Sequence, residues 1–118
     1  MTHDAGHAMK ARIRADLRAA MKEGRTSEAR LLRALVAALD NAEAPPLRAD
    51  KRATDQHRFR EGSAEIERLF LGPAEVRAVL LAEIEERERA AAQMRHLAKP
   101  DRAETLSAEA LLARRYIE

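Results

Sequence analysis

Hydrophobic residues recur every three or four positions over four segments of the chain, which is the spacing of helices that bury one face. A glycine, a proline pair and a Lys-Pro step separate these segments, and such residues are common at helix ends. The sequence therefore predicts an all-α fold, a four-helix bundle with a variable charged loop between helices 2 and 3. The predicted helices cover about residues 8–23, 27–43, 73–96 and 101–117, and the loop covers 44–72.

The second predicted helix has the widest apolar arc, so we expect it to be the most buried. Gly24 precedes it as the C-terminal stop of the first helix, and Thr26 or Ser27 can cap its amino end. Its hydrophobic positions are Leu31, Leu32, Leu35, Val36 and Leu39.

The loop segment is highly charged and has little periodicity, which is typical of a solvated loop or a marginal short helix. Its last part, EIERLFL, is compatible with an extended piece packed on the bundle. Such a piece would bury Ile66, Leu69 or Leu71.

The third predicted helix places a charge pair on the face that it should bury. Arg87 occupies one position of the apolar stripe, and Glu83 lies one turn before it on the same side. We expect the aliphatic stem of Arg87 to pack in the bundle while its guanidinium reaches a carboxylate or the carbonyl end of a neighbouring helix. The candidate partners are Glu83, Asp40 and Glu43. A binding residue in a groove is the alternative role for Arg87.

Composition favours a folded helical protein. Ala supplies 26 of the 118 residues, whereas Leu, Ile, Val and Phe together supply 23, close to the level at which disorder becomes a concern. The net charge is only +2, however, and the long periodic segments favour folding. The chain has no cysteine, no signal-peptide core and no apolar run near the roughly 18 residues of a membrane span. We therefore expect a cytoplasmic protein with no membrane partner.

No motif of catalysis or of cofactor binding is visible in the sequence. The serines lack a nucleophile-elbow context, and no glycine loop resembles a phosphate cradle. His3 and His7 lie one turn apart around Asp4, a spacing that could hold a metal in a helix, but a frayed terminus is the simpler interpretation. We expect no catalytic residue, no metal and no cofactor.

A row of basic residues runs along the first predicted helix at intervals of four. Aligned cations bind nucleic-acid phosphates by releasing condensed counterions, although a row of charges is more often a solvated helix face. Only three aromatic residues are available for base stacking, so recognition of single strands is not expected. The candidate RNA-binding residues are Lys10, Arg14, Arg18, Lys22 and, just beyond the helix, Arg25.

The last predicted helix has a second apolar edge besides its main stripe. Leu112 and Tyr116 lie about 100 degrees or more from that stripe, and Leu111 adjoins them. An uncovered apolar patch tends to mark a partner interface, so self-association or contact with another protein is a second hypothesis. Alternatively, residues 63–72 fold back and cover this edge.

Two blocks of the sequence resemble the GatB/YqeY family of small helical domains. The first block is MKARIRADLRAAMK followed by ARLLRALVAALDNAEA, and the second is EVRAVLLAEIEERERAAAQM followed by DRAETLSAEALLARRYIE. The second block contains the spacing Glu83-Ile84-x-x-Arg87. The family is similar to the tail of the B subunit of the glutamine-dependent tRNA amidotransferase, which converts mischarged Glu-tRNA or Asp-tRNA to the amide form.

The resemblance implies one non-catalytic helical domain over residues 1–118, accessory to tRNA or to glutamine-dependent tRNA amidation. In the family, the tail helps to hold tRNA, and the carbon–nitrogen ligase chemistry belongs to other domains and subunits. Longer relatives continue into a second small helical domain, which we expect to be absent here. The family's usual glycine between helices 3 and 4 is replaced by Ala98. A different turn is expected there, because a left-handed alanine costs about 1 kcal/mol.

Overall fold

The computed structural model describes residues 4–45 and 69–118 of the chain. These two ranges contain four α-helices and no strand, which confirms the predicted all-α bundle. None of the helices within them is both long enough and apolar enough to cross a membrane. The helices are α1 (Ala5–Lys22), α2 (Thr26–Glu43), α3 (Pro73–His96) and α4 (Pro100–Ala113), and a 3-10 turn (Arg114–Tyr116) follows.

The helices form two hairpins that meet along α2. The largest packing surfaces are those of α1 on α2 and of α3 on α4, and α2 also contacts α3 and α4. Seven large side chains are fully buried among the described residues, and four of them belong to α2, as the width of its apolar arc predicted. They are Ile13, Leu31, Leu32, Leu35, Leu39, Leu80 and Ile84.

The amino ends of α1 and α2 differ from those that the pattern predicted. The Asp4 side chain accepts a hydrogen bond of 2.9 Å from the backbone N–H of His7 and thereby caps α1, which begins at Ala5 rather than near residue 8. The prediction that Thr26 or Ser27 caps α2 is wrong, because α2 already includes both residues and has no side-chain cap.

The helix α3 has the bounds that the pattern predicted. Pro73 occupies its first turn, where a missing N–H costs nothing, and the Glu75 carboxylate accepts a hydrogen bond of 2.8 Å from the N–H of Gly72. The helix α4 is shorter than predicted, because the chain tightens into the 3-10 turn after Ala113.

The helices α1 and α3 end in the same kind of turn, one at Gly24 and the other at Ala98. Both residues have a left-handed backbone, with φ of 72° at Gly24 and 59° at Ala98. In both turns the next residue donates its N–H over 2.8 Å to the carbonyl five positions earlier, which is the Schellman arrangement. The expectation of a different turn at Ala98 is therefore wrong: the left-handed turn is kept, and alanine bears its steric cost.

The residues just before α3 lie against the end of the bundle where α1 begins and α2 ends. Leu69 donates its N–H to the carbonyl of Glu43 at 2.8 Å, and Gly6 donates its N–H to the carbonyl of Leu71 at 3.2 Å. Leu71 is buried, as the interpretation of an extended piece predicted, whereas Leu69 is 47% exposed. Ile66 lies outside the described residues.

Candidate nucleic-acid interface and neighbouring charged surfaces

Lys10 is buried against α2 and is not part of an exposed basic row. Its ammonium pairs with Asp40 at 2.8 Å and with Glu43 at 2.5 Å, and only 8% of its side chain is exposed. Burial by itself would lower the pKa of Lys10, but its hydrogen bonds to the two carboxylates and their charges outweigh burial and raise this pKa. Lys10 therefore fastens α1 to the carboxyl end of α2, and its assignment to RNA binding is corrected.

Gly6 of α1 lies against Glu43 of this ion pair and against Leu71. A Cβ atom at Gly6 would lie 2.7 Å from Oε2 of Glu43 and 3.3 Å from Cβ of Leu71. The amino end of α1 can therefore pack at this distance only because the residue has no side chain.

The basic row that remains on α1 consists of Arg14, Arg18 and Lys22, all of them exposed. Within residues 4–45 and 69–118, none of the three has a carboxylate within ion-pair distance. The helix α2 adds two exposed arginines, Arg30 and Arg33, which the sequence interpretation did not include. Together with the basic row, these two arginines supply five of the exposed cations of the first hairpin.

Arg25 belongs to the turn between α1 and α2, and carboxylates already accompany it. Its guanidinium pairs with Glu28 and, at 3.3 Å, with Glu23. The hydrogen bond to Glu28 is the main reason why the pKa of Arg25 is raised. A phosphate would have to compete with these two carboxylates, so Arg25 is a poorer anion site than the basic row.

Arg87 lies between α3 and α4, with 14% of its side chain exposed. Its Nη1 donates to the carboxylate of Glu83 at 3.0 Å and to the Glu83 carbonyl at 3.1 Å, and its Nε donates to Glu109 at 3.1 Å. Of the three predicted partners, only Glu83 contacts Arg87; Asp40 and Glu43 pair with Lys10 instead. Glu109 was missed because the sequence does not show which face of α4 is turned towards α3.

Only part of the second apolar edge predicted for the last helix is exposed in the structure. Leu111 is 73% exposed and Leu112 is half-buried, but Tyr116 is only 4% exposed. The Tyr116 hydroxyl donates to Asp16 at 2.5 Å, and the guanidinium of Arg12 lies 4.7 Å from the centre of the Tyr116 ring. Tyr116 is therefore covered by α1 and is removed from the candidate partner interface.

Burial and the hydrogen bond to Asp16 raise the pKa of the Tyr116 hydroxyl well above its usual value. The neutral phenol is the form that can donate to the carboxylate. The contact between α1 and the 3-10 turn therefore requires a protonated tyrosine.

A groove of about 520 Å³ lies between the amino end of α2 and α4. Carboxylates dominate its polar lining, while Ala108 and Leu112 contribute apolar surface. Two of these carboxylates are paired, Glu28 with Arg25 and Glu109 with Arg87. No described basic side chain lies within ion-pair distance of the other two, Asp101 and Glu104. The acidic groove is defined by Glu28, Asp101, Glu104, Ala108, Glu109 and Leu112.

Within the described part of the chain, no group of three or more histidine, aspartate or glutamate side chains could hold a metal ion. Asp4 caps α1, and His3 lies outside the described residues. Searches found no match among protein-family models, curated proteins or solved structures. The charged surfaces of the two hairpins are therefore the features from which a function can be argued.

Proposed function

We propose that the protein is a non-catalytic accessory domain of the GatB/YqeY type that contacts the phosphates of tRNA through its basic row. The observation that carries this proposal is the exposure of Arg14, Arg18 and Lys22 on one helix, with no ion-pair partner among the described residues. The first and the last cation are eight positions apart, so the row extends over about 12 Å. A helix face of this length can contact several phosphates of one RNA strand.

The basic row fits phosphates better than it fits bases. Arg and Lys side chains supply charge and hydrogen-bond donors to phosphate oxygens, and binding releases condensed counterions. The hydroxyl of Tyr116 is bonded to Asp16, and the guanidinium of Arg12 lies over the face of its ring, so this aromatic residue is not available for stacking. Phe70 is 72% exposed and lines a pocket together with Arg14, so it is the described aromatic side chain that remains available to a base. The proposed contact is therefore directed mainly to the shape and charge of a folded RNA.

The resemblance to the amidotransferase B-subunit tail supports tRNA as the RNA in question. A role beside glutamine-dependent tRNA amidation would place the protein in the cytoplasm. Any carbon–nitrogen ligase activity would then belong to the larger complex, with this domain supplying a contact to the substrate tRNA.

The test is a gel-shift titration of bulk tRNA at about 50 mM and about 200 mM salt, a range over which phosphate contacts weaken strongly. We expect micromolar, salt-sensitive binding by the wild-type protein. The variant R14A/R18A/K22A should bind at least about tenfold more weakly. A plot of its log K against log salt concentration should have a slope smaller in magnitude by about 2 than that of the wild type.

The matched control is R89A/K99A/R102A, which removes the same charge from exposed positions outside the row. This control should retain most of the affinity if the row is the interface. Absence of salt-sensitive binding in the micromolar range, or an equal loss in both triple variants, would refute the proposal.

A second candidate function is a protein-interaction module with no nucleic-acid role. The observation that favours it is the exposure of Leu111 on the same face of α4 as Glu104 and Ala108 of the acidic groove. Affinity purification from the native cell separates the two functions. Retained RNA supports the first, and a stoichiometric protein partner without RNA supports the second.

A further inference from the structure

The protein carries two exposed surfaces of opposite charge on different helices. The basic row belongs to α1 and the acidic groove to α2 and α4, and both α1 and α4 pack on α2. Among the described residues no ion pair joins the basic row to the acidic groove, so both surfaces remain open to another molecule.

We propose that the acidic groove binds the basic row of a second copy of this chain. The groove offers Asp101 and Glu104, two exposed carboxylates for which the described residues provide no ion-pair partner. The row offers Arg14 and Arg18, which are also exposed and have no ion-pair partner among the described residues. Opposite charges thus remain uncompensated on both sides of the proposed contact.

Apolar groups accompany the charges on both surfaces. Met21 is 55% exposed and lies three residues after Arg18, which places both side chains on one face of α1. The groove contributes Ala108 and Leu112. Met21 of one copy can therefore enter the apolar part of the groove while the neighbouring arginines reach its carboxylates, and methionine adapts well to such a pocket.

The spacing of the charges is compatible with this contact. Arg14 and Arg18 are four residues apart on α1, and Asp101 and Glu104 are three residues apart on α4. Both spacings separate neighbouring side chains on a helix face by about 5–6 Å. Two helices laid beside each other can therefore pair both arginines with both carboxylates.

The contact joins two different surfaces, so each bound pair retains one unoccupied groove and one unoccupied row unless the arrangement closes on itself. Its strength depends on charges near solvent, and it should weaken when salt shortens the range of these charges. The same cations serve the proposed tRNA contact, so RNA and self-association should compete; this last point rests on the proposed function.

Sedimentation of the wild-type protein and two variants tests the proposal. The groove variant D101K/E104K reverses the charge of the groove and keeps the row, whereas the row variant R14Q/R18Q neutralises the row and keeps the groove. We expect the wild-type protein to associate at low salt and to dissociate at high salt. Each variant alone should associate at least about tenfold more weakly.

An equimolar mixture of the two variants gives the decisive result. The groove variant supplies an intact row and the row variant an intact groove, so the mixture should form a one-to-one pair that does not grow further. The control E85K/E86K reverses two exposed carboxylates of α3 outside the groove and should associate like the wild type. Circular dichroism verifies that all variants are folded.

The proposal would be overturned by a wild-type protein that stays monomeric at low salt, by a mixture that stays monomeric, or by a control that loses association equally. A monomer whose groove binds an unrelated basic helical peptide would show that the occupant is a foreign segment, which also overturns it. The groove variant should still bind tRNA, so failure of self-association and failure of the proposed function give different results.

Discussion

Arg87 on α3 and Glu109 on α4 are joined by a hydrogen bond of 3.1 Å from Nε to Oε1, and the same guanidinium also holds Glu83. All three side chains are largely shielded from solvent. This relationship explains why α3 carries a charge on its apolar face: the arginine stem packs between two helices, and its planar head satisfies a carboxylate on each of them.

The substitution R87A should lower the free energy of unfolding by about 2 kcal/mol, because it leaves two shielded carboxylates without their shared cation. The substitution R89A removes the same side chain from an exposed position two residues later and should change stability by less than about 0.5 kcal/mol. Thermal and urea unfolding measure both values. Equal melting temperatures for the two variants would contradict the structural role of Arg87.

The paired turns at Gly24 and Ala98 predict opposite effects of exchanging glycine and alanine. A98G should raise stability by about 1 kcal/mol because it relieves a left-handed alanine, and G24A should lower it by about 1 kcal/mol because it creates one. No described atom lies within 4 Å of a Cβ at Gly24, so the effect there is conformational rather than steric. Urea denaturation provides the measurement.

The control for the two turns is A92G, at an exposed position inside α3, where glycine should cost about 1 kcal/mol. If A98G and A92G were both destabilising, the left-handed backbone would not be the source of strain at Ala98.

Stability should fall as the pH rises above about 10, the ordinary range of tyrosine and lysine. Folding raises the pKa of Tyr116 and of Lys10, so the folded state binds these protons more tightly than the unfolded state does. Their stabilising contribution is complete below the unfolded pKa and is lost as the pH rises towards the folded value. Urea midpoints measured across this range should show the decline.

The chain has one tyrosine and no tryptophan, so the ultraviolet absorbance of the phenolate reports on Tyr116 directly. Its midpoint should lie above pH 10 in the folded protein and return to about 10 in denaturant. The variant Y116F should show a shallower loss of stability above pH 10. A folded protein with an ordinary tyrosine midpoint would show that the hydroxyl does not make the Asp16 contact.

The helices could be predicted from the sequence because their determinants are local. The apolar period of α2, the Gly72-Pro73 step before α3 and the Gly24 stop each involve only a few neighbouring residues. The first turn of α1 was missed because Ala5 and Gly6 add almost nothing to an apolar pattern. Gly6 is buried by α2 and by Leu71, which are distant in sequence.

The charged surfaces were less predictable, because spacing cannot separate a buried cation from an exposed one. Lys10 and Arg14 belong to the same row of four-residue intervals, and only the carboxylates of α2 distinguish them. One local signal was present, since Lys10 lies seven residues before Leu17 and therefore near the apolar stripe. The contact between Arg87 and Glu109 had no such signal, because the rotation of α4 about its axis is fixed by packing.

The hydrogen bond from the N–H of Leu69 to the Glu43 carbonyl joins the end of α2 to the residues that lead into α3. Because both partners are backbone atoms, this link between the two hairpins does not depend on the side chain at either position, and only a proline in place of Leu69 would remove its donor.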